Sequence, residues 1–110
     1  MILCDLLITS LKPRKRHNAM QLILYRKPDC HLCEGLEEKL EQITSIQFDL
    51  ERRDITTRED WFNLYQYEIP VLCLQSPQGE KVLPRLSPRA TVKTLEQLLE
   101  KNIHLANLNQ

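Results

Sequence analysis

Glycine is almost missing from this 110-residue chain, which has only Gly35 and Gly79. That excludes a glycine-rich phosphate loop and the nucleotide-binding readings built on one. An excess charge of one sign is missing as well. Fifteen basic side chains balance fifteen acidic ones, and only one Trp, three Tyr and two Phe interleave with them, so nucleic acid is not an expected partner. No apolar run reaches the roughly 20 residues that a bilayer-spanning helix needs. Met1–Leu11 is apolar, but the basic cluster Lys12, Arg14, Lys15 and Arg16 follows it. A secretory signal runs the other way, basic before apolar, and ends in small residues. The expectation is a cytoplasmic protein with no membrane partner.

Leu, Ile, Val and Phe fill 33 positions, enough for a small core. The length predicts one domain. The composition shifts near residue 20: residues 1–19 carry a net charge of +3 and the remainder −3. Residues 1–19 therefore read as an extension, with Met20 as an alternative translation start, and residues 20–110 as the domain.

From Met20 the pattern is regular. Gln21–Arg26 is short and apolar, bounded by Pro28, and predicts a strand. Leu32, Leu36, Leu40 and Ile43 recur at spacings of four, four and three, opposite Glu34, Glu37, Glu38 and Glu41. They predict an amphipathic helix. Ile46–Glu51 alternates apolar and polar residues as a half-buried strand does. Thr57 with Asp60 resembles a capping box, followed by a helical face of Trp61, Leu64 and Tyr65. Val71–Leu74 predicts a buried strand. Ser76-Pro77-Gln78-Gly79 predicts a turn, and Lys81–Leu86 a returning strand marked as an edge by Pro84. Thr91 is placed to cap a last helix that buries Val92, Leu95, Leu98 and Leu99. The order is β-α-β-α-β-β-α, an α/β domain whose mixed four-stranded sheet is flanked by three helices. Its β-α-β start requires a parallel strand pair joined by a right-handed crossover.

The informative motif is Cys30-His31-Leu32-Cys33, where the first strand turns into the first helix. Residues three apart share a helix face, and a Cα separation of roughly 5–5.5 Å suits a disulfide. Free backbone N–H groups and the positive helix end surround Cys30 and stabilise thiolate, the attacking species. Arg26 and Lys27 favour the anion, Asp29 and Glu34 oppose it, and His31 favours it when protonated. Exposure at the junction makes Cys30 the candidate nucleophile. Cys33, one turn inside, is the candidate resolving thiol.

Two rivals stay open at this point. Zinc needs four ligands where this motif supplies two, and neither Cys4, Cys73, His17 nor His104 completes a second ligand pair. Inert thiols packed as small hydrophobes are the other rival, and Cys73, within Val71-Leu72-Cys73-Leu74, reads that way. Cys4 has no assignable role, and His17 and His104 read as surface residues.

A strand, a Cys-x-x-Cys opening a helix, and Ile69-Pro70 some forty residues later before a short strand resemble the thioredoxin fold. The minimal element order resembles glutaredoxins. Leu24-Tyr25-Arg26-Lys27-Pro28-Asp29-Cys30-His31-Leu32-Cys33-Glu34, with Ile69-Pro70-Val71-Leu72, is most similar to the short glutaredoxin-like proteins of undefined function. The resemblance spans residues 20–103. It implies a cis Pro70 facing Cys30 and an Ile69 backbone that pairs with a partner peptide or with glutathione. It also implies a carboxylate contact from Lys27, Arg85 or Arg89.

This chain departs from typical glutaredoxins at two places, the spacer between the cysteines and the segment before the last helix. His31 and Leu32 replace the Pro-Tyr spacer, so the aromatic that helps hold glutathione is lost, and Leu86–Thr91 lacks the paired glycines before the last helix. The expected function is thiol–disulfide exchange by Cys30 and Cys33, with Lys27, His31, Ile69 and Pro70 as substrate-binding candidates. No metal or organic cofactor is required, and glutathione is a candidate co-substrate. Expected partners are a disulfide-bearing protein or glutathione mixed disulfide and a thiol reductant, met by a monomer. The alternatives are a non-catalytic binding module using the Ile69-Pro70 edge, and a metal or iron–sulfur carrier using Cys30.

Overall fold

The computed structural model describes residues 20–108. The extension 1–19, with its apolar run, its basic cluster, Cys4 and His17, lies outside the described residues. The elements run β1 (Met20–Arg26), α1 (His31–Glu41), β2 (Phe48–Asp54), a 3₁₀ turn (Ile55–Thr57), α2 (Glu59–Tyr65), β3 (Val71–Ser76), β4 (Gly79–Val82) and α3 (Val92–Leu108). The sheet order is β2-β1-β3-β4. β1 pairs in parallel with β2 and antiparallel with β3, and β3 pairs antiparallel with β4. The result is the expected mixed sheet with three helices over its two faces.

Alternation in the central strands assigns each residue to a face. Leu22, Leu24, Leu72 and Leu74 meet Leu40, Ile43, Leu83, Leu95 and Leu99 from the α1 and α3 side. Ile23, Tyr25, Val71 and Cys73 point the other way, against Ile55, Trp61 and Tyr65. Register enforces this sorting: Ile23 pairs with Cys73 and Leu24 with Leu72, so partners share a face.

Several boundaries fall differently from the sequence reading, each for a local reason. β2 begins at Phe48 and runs on through Arg52, Arg53 and Asp54. Pairing with β1 carries these charged residues, and β2 is a sheet edge where their side chains find water. Thr57 does not cap α2. Its hydroxyl donates to the Asp54 carbonyl at 2.7 Å, while the Asp54 carboxylate accepts the Thr56 N–H at 2.9 Å and closes the 3₁₀ turn. The N-cap of α2 is Arg58, without a side-chain cap, and Asp60 instead accepts the Trp61 N–H at 2.9 Å. β4 stops at Val82, and Pro84 follows the strand rather than lying in it. The last hairpin bond is Leu83 N–H to the Leu72 carbonyl, at 2.9 Å.

Other signals hold. β4 is an edge. Gly79, with φ 118°, occupies the turn position that other residues rarely adopt. The Thr91 hydroxyl accepts the Thr94 N–H at 3.1 Å, capping α3. No helix among the described residues is long and apolar enough to cross a membrane.

Candidate functional site

Cys30 is the N-cap of α1, and Cys33 sits inside its first turn. Asp29, immediately before, has φ 61°, a left-handed conformation that Asp tolerates and that turns the chain from β1 into the helix. The two cysteines form a disulfide with Cα atoms 5.2 Å apart. The Cys33 N–H donates to Cys30 Sγ at 3.2 Å, and the Glu34 N–H donates to the Cys30 carbonyl at 3.0 Å. The Glu34 bond is the first of the helix ladder, while the Cys33 N–H, a first-turn donor without an intrahelical partner, is taken by the Cys30 sulfur. Burial separates the two sulfurs: Cys33 is 0% exposed and Cys30 is half-buried.

The surrounding charges sort out differently from their order in sequence. Arg26, at the end of β1, forms an ion pair with Glu37 of α1, and Glu37 also accepts from Arg52 at 3.0 Å. Arg26 is therefore spent on fastening α1 to the sheet. Lys27 is exposed, and His31 stands out in solvent with Nδ1 3.5 Å from the Glu34 carboxylate. The Ile69–Pro70 peptide bond is cis. Pro70 lines a cavity together with His31 and Leu32, across from the dithiol helix. The Ile69 N–H donates to the Tyr65 carbonyl at 3.1 Å, so part of the backbone edge expected at Ile69 is already engaged within the chain. Arg85 lines the same cavity, whereas Lys27 and Arg89 do not.

Two features escaped the sequence reading. Leu32 was placed on the buried stripe of α1, but it is 49% exposed at the cavity mouth. Cys33 takes its place, since Cys33, Leu36, Leu40 and Ile43 complete a three-four-three stripe over the sheet. The cavity itself gathers residues from α1, β3, the segment after β4, and α3, a convergence with no local sequence signal. On the opposite face, Arg53 Nη1 donates to Tyr25 Oη at 2.7 Å and to Glu80 at 2.9 Å, and Tyr25 Oη donates to Glu80 at 2.6 Å. Cys73 is fully buried beneath this group, and burial pushes its thiol up to about 11. It is a core residue. Among the described residues no group of three or more His, Cys, Asp and Glu side chains gathers as a metal site would.

A cysteine pair at the start of a helix, on a β-α-β-α-β-β-α frame with a mixed four-stranded sheet, is the arrangement of a glutaredoxin-like protein of the thioredoxin fold. Residues 21–100 match the family described as Glutaredoxin-like domain (DUF836), and the chain belongs to that family. Among solved structures it is similar to thioredoxin 1 from the thermophilic eubacterium Thermosipho africanus TCF52B. The identity is 12% and the TM-score 0.50, over 80% of this chain and 99% of that one, a likeness of fold. No curated protein matches.

Proposed function

We propose that the protein is a thiol–disulfide oxidoreductase in which Cys30 attacks and Cys33 resolves. The observation that supports this most is the asymmetry of the pair. Cys30 is half-buried and accepts a backbone N–H at the positive end of α1, while Cys33 is wholly covered and 5.2 Å away, Cα to Cα. The N–H bond and the helix dipole both favour thiolate at Cys30.

In the reducing direction the Cys30 thiolate attacks one sulfur of a partner disulfide. The partner S–S bond breaks, and the departing thiolate takes a proton from water. The Cys33 thiol then gives up its proton and attacks Cys30 Sγ. The mixed disulfide breaks, the second partner thiol leaves, and Cys30–Cys33 closes. Two electrons have passed to the partner, and an external thiol reductant returns them to the protein. Such a cycle suits a reducing compartment such as the cytoplasm.

The test is capture. Cys33→Ser should hold a disulfide-bearing protein as a stable mixed disulfide at Cys30, visible by mass spectrometry, and Cys30→Ser should hold nothing and turn over nothing. Full biological function retained by Cys30→Ser would instead favour a non-catalytic binding module built on the Ile69-Pro70 edge. Colour or bound metal in freshly purified protein that Cys30→Ser loses would favour the carrier alternative.

A further inference from the structure

Beside the dithiol lies a cavity of about 450 Å³, within the roughly 300–1,000 Å³ range of small-molecule sites. Its mouth is formed by His31 and Leu32 of the cysteine helix together with Pro70. Its walls are leucines from four parts of the chain: Leu36 of α1, Leu72 of β3, Leu86 of the segment after β4, and Leu95 and Leu98 of α3. Leu32 and Val82, both on the lining, are 49% and 54% exposed.

The polar groups are few and mostly basic. Lys39 donates to the Pro88 carbonyl at 2.7 Å, and Arg85 donates to the Glu68 carbonyl at 2.5 Å. Those bonds hold the cavity's outer loop and use only some of the donors on each cation. Glu68 is the one acid among the lining residues. Lys39 follows Cys30 by nine positions, about 13 Å along the axis at ~1.5 Å per residue, and helical side chains lean back toward the N-terminus.

We propose that this cavity receives the aliphatic arm of a small disulfide ending in an anion, and selects such a disulfide over glutathione disulfide. The inference rests on the exchange reading above and names its substrate class. Sulfur meets Cys30 at the mouth, the alkyl chain lies among the leucines, and the anionic end meets Lys39 and Arg85. Glutathione places two carboxylates and an ammonium on each half, and laying these among leucines strips their water, while Lys39 and Arg85 at the far end can meet only part of that charge. For a cyclic disulfide the atoms balance as follows. Cys30 thiolate opens the ring S–S bond, and the freed ring thiolate takes a proton. Cys33 then displaces the second ring sulfur, leaving an open dithiol acid and the Cys30–Cys33 disulfide.

Binding and exchange are tested separately on the full chain. Octanoate, an aliphatic acid without sulfur, is titrated by NMR into the oxidised protein. It should bind saturably, shift Leu36, Leu86 and Leu98 resonances, and resist displacement by equal glutathione. Val82→Glu should weaken it about tenfold, the effect of uncovering a little under two methylenes. Lys39→Met should weaken octanoate but not octanol, which separates loss of charge from collapse of the cavity. Lipoic acid, a cyclic disulfide with a carboxylate-ended arm, should then be reduced at least about tenfold faster than glutathione disulfide. No octanoate binding, displacement by glutathione, or equal reduction rates would overturn the assignment. Octanoate binding with no disulfide of any kind reduced would overturn the exchange reading and leave the aliphatic site standing.

Discussion

The two faces of the sheet solve the same packing problem with different chemistry. Under α1 and α3 the contacts are almost all aliphatic, from Leu22 and Leu24 through Leu95 and Leu99, and this is the side that leaves a cavity next to the dithiol. Under α2 the core is small, and its outer part is aromatic and charged. Tyr25 lies against Tyr65 and Trp61 with ring centroids 4.5 and 5.8 Å away, and the Arg53 guanidinium stands 5.5 Å from the Tyr25 ring and 5.2 Å from that of Trp61. Tyr25 Oη, Arg53 Nη1 and the Glu80 carboxylate are hydrogen-bonded to one another. Aliphatic packing is non-directional and tolerates a cavity, whereas a hydrogen-bonded ring cluster is directional and fixes one arrangement. The directional cluster ties side chains of β1, β2 and β4 together across its face. The aliphatic face carries the cysteine helix.

That contrast can be broken most forcefully from the aliphatic side. Leu95→Ala removes a side chain that is 0% exposed and should cost about 2–5 kcal/mol by urea unfolding. A loss below about 1 kcal/mol would mean that the α1 and α3 side relaxes freely and is not a packed core.

On the other face the expected cost comes from unpaired polar groups. Glu80→Ala removes the acceptor of the Tyr25 hydroxyl and the anion beside Arg53. It should cost about 1–3 kcal/mol. Because the groups act together, Glu80→Ala combined with Tyr25→Phe should cost less than the two changes summed, by about 0.5–3 kcal/mol. Strict additivity would contradict a cooperative cluster.

A smaller effect should appear in alkali. Burial first, and then the negative charge of Glu80, push the Cys73 thiol from an ordinary 9.0 up to about 11. Above about pH 9 the unfolded chain gives up this proton while the folded chain keeps it. Stability therefore falls as pH rises from about 9 to about 11 and is insensitive to this group below. Burial raises the Tyr25 hydroxyl too, so part of the decline persists without Cys73. Thermal midpoints of Cys73→Val across that range should fall less steeply than those of the parent, and parallel curves would remove Cys73 as the cause.

The smallest change expected is Arg58→Ala. Arg58 stacks 4.7 Å from the Trp61 ring centroid at the surface, and its loss should cost about 0.5–1 kcal/mol. A loss several times larger would make Arg58 part of the directional cluster.

The legible parts of this molecule were those encoded locally. Alternation along Leu22–Tyr25 and Val71–Leu74, the Thr91 cap, the Gly79 turn and the Cys30–Cys33 spacing all depend on neighbours within a turn or a strand. What the sequence concealed depends on residues far apart in the chain. Glu80 completes the hydrogen bonds of Tyr25 from 55 positions away. The cavity joins α1 to the segment after β4 and to α3. Leu32 misled because a leucine four residues before Leu36 fits the helical stripe, yet Cys33 is the first-turn residue that is buried and Leu32 is left 49% exposed beside the cavity. Thr57 misled because its hydroxyl serves the preceding 3₁₀ turn, a rival use that the capping-box spacing does not reveal.

The central claim, that Cys30 and Cys33 form a working dithiol, is tested most directly by a redox titration of the full chain. The protein is equilibrated in graded dithiothreitol and glutathione buffers, quenched with acid, and its alkylated thiols are counted and located by mass spectrometry. The account predicts a single two-electron transition confined to Cys30 and Cys33, with Cys73 reduced throughout. Cys30 and Cys33 that remain reduced at every poise, or that yield to alkylation only after a metal is removed, would contradict it.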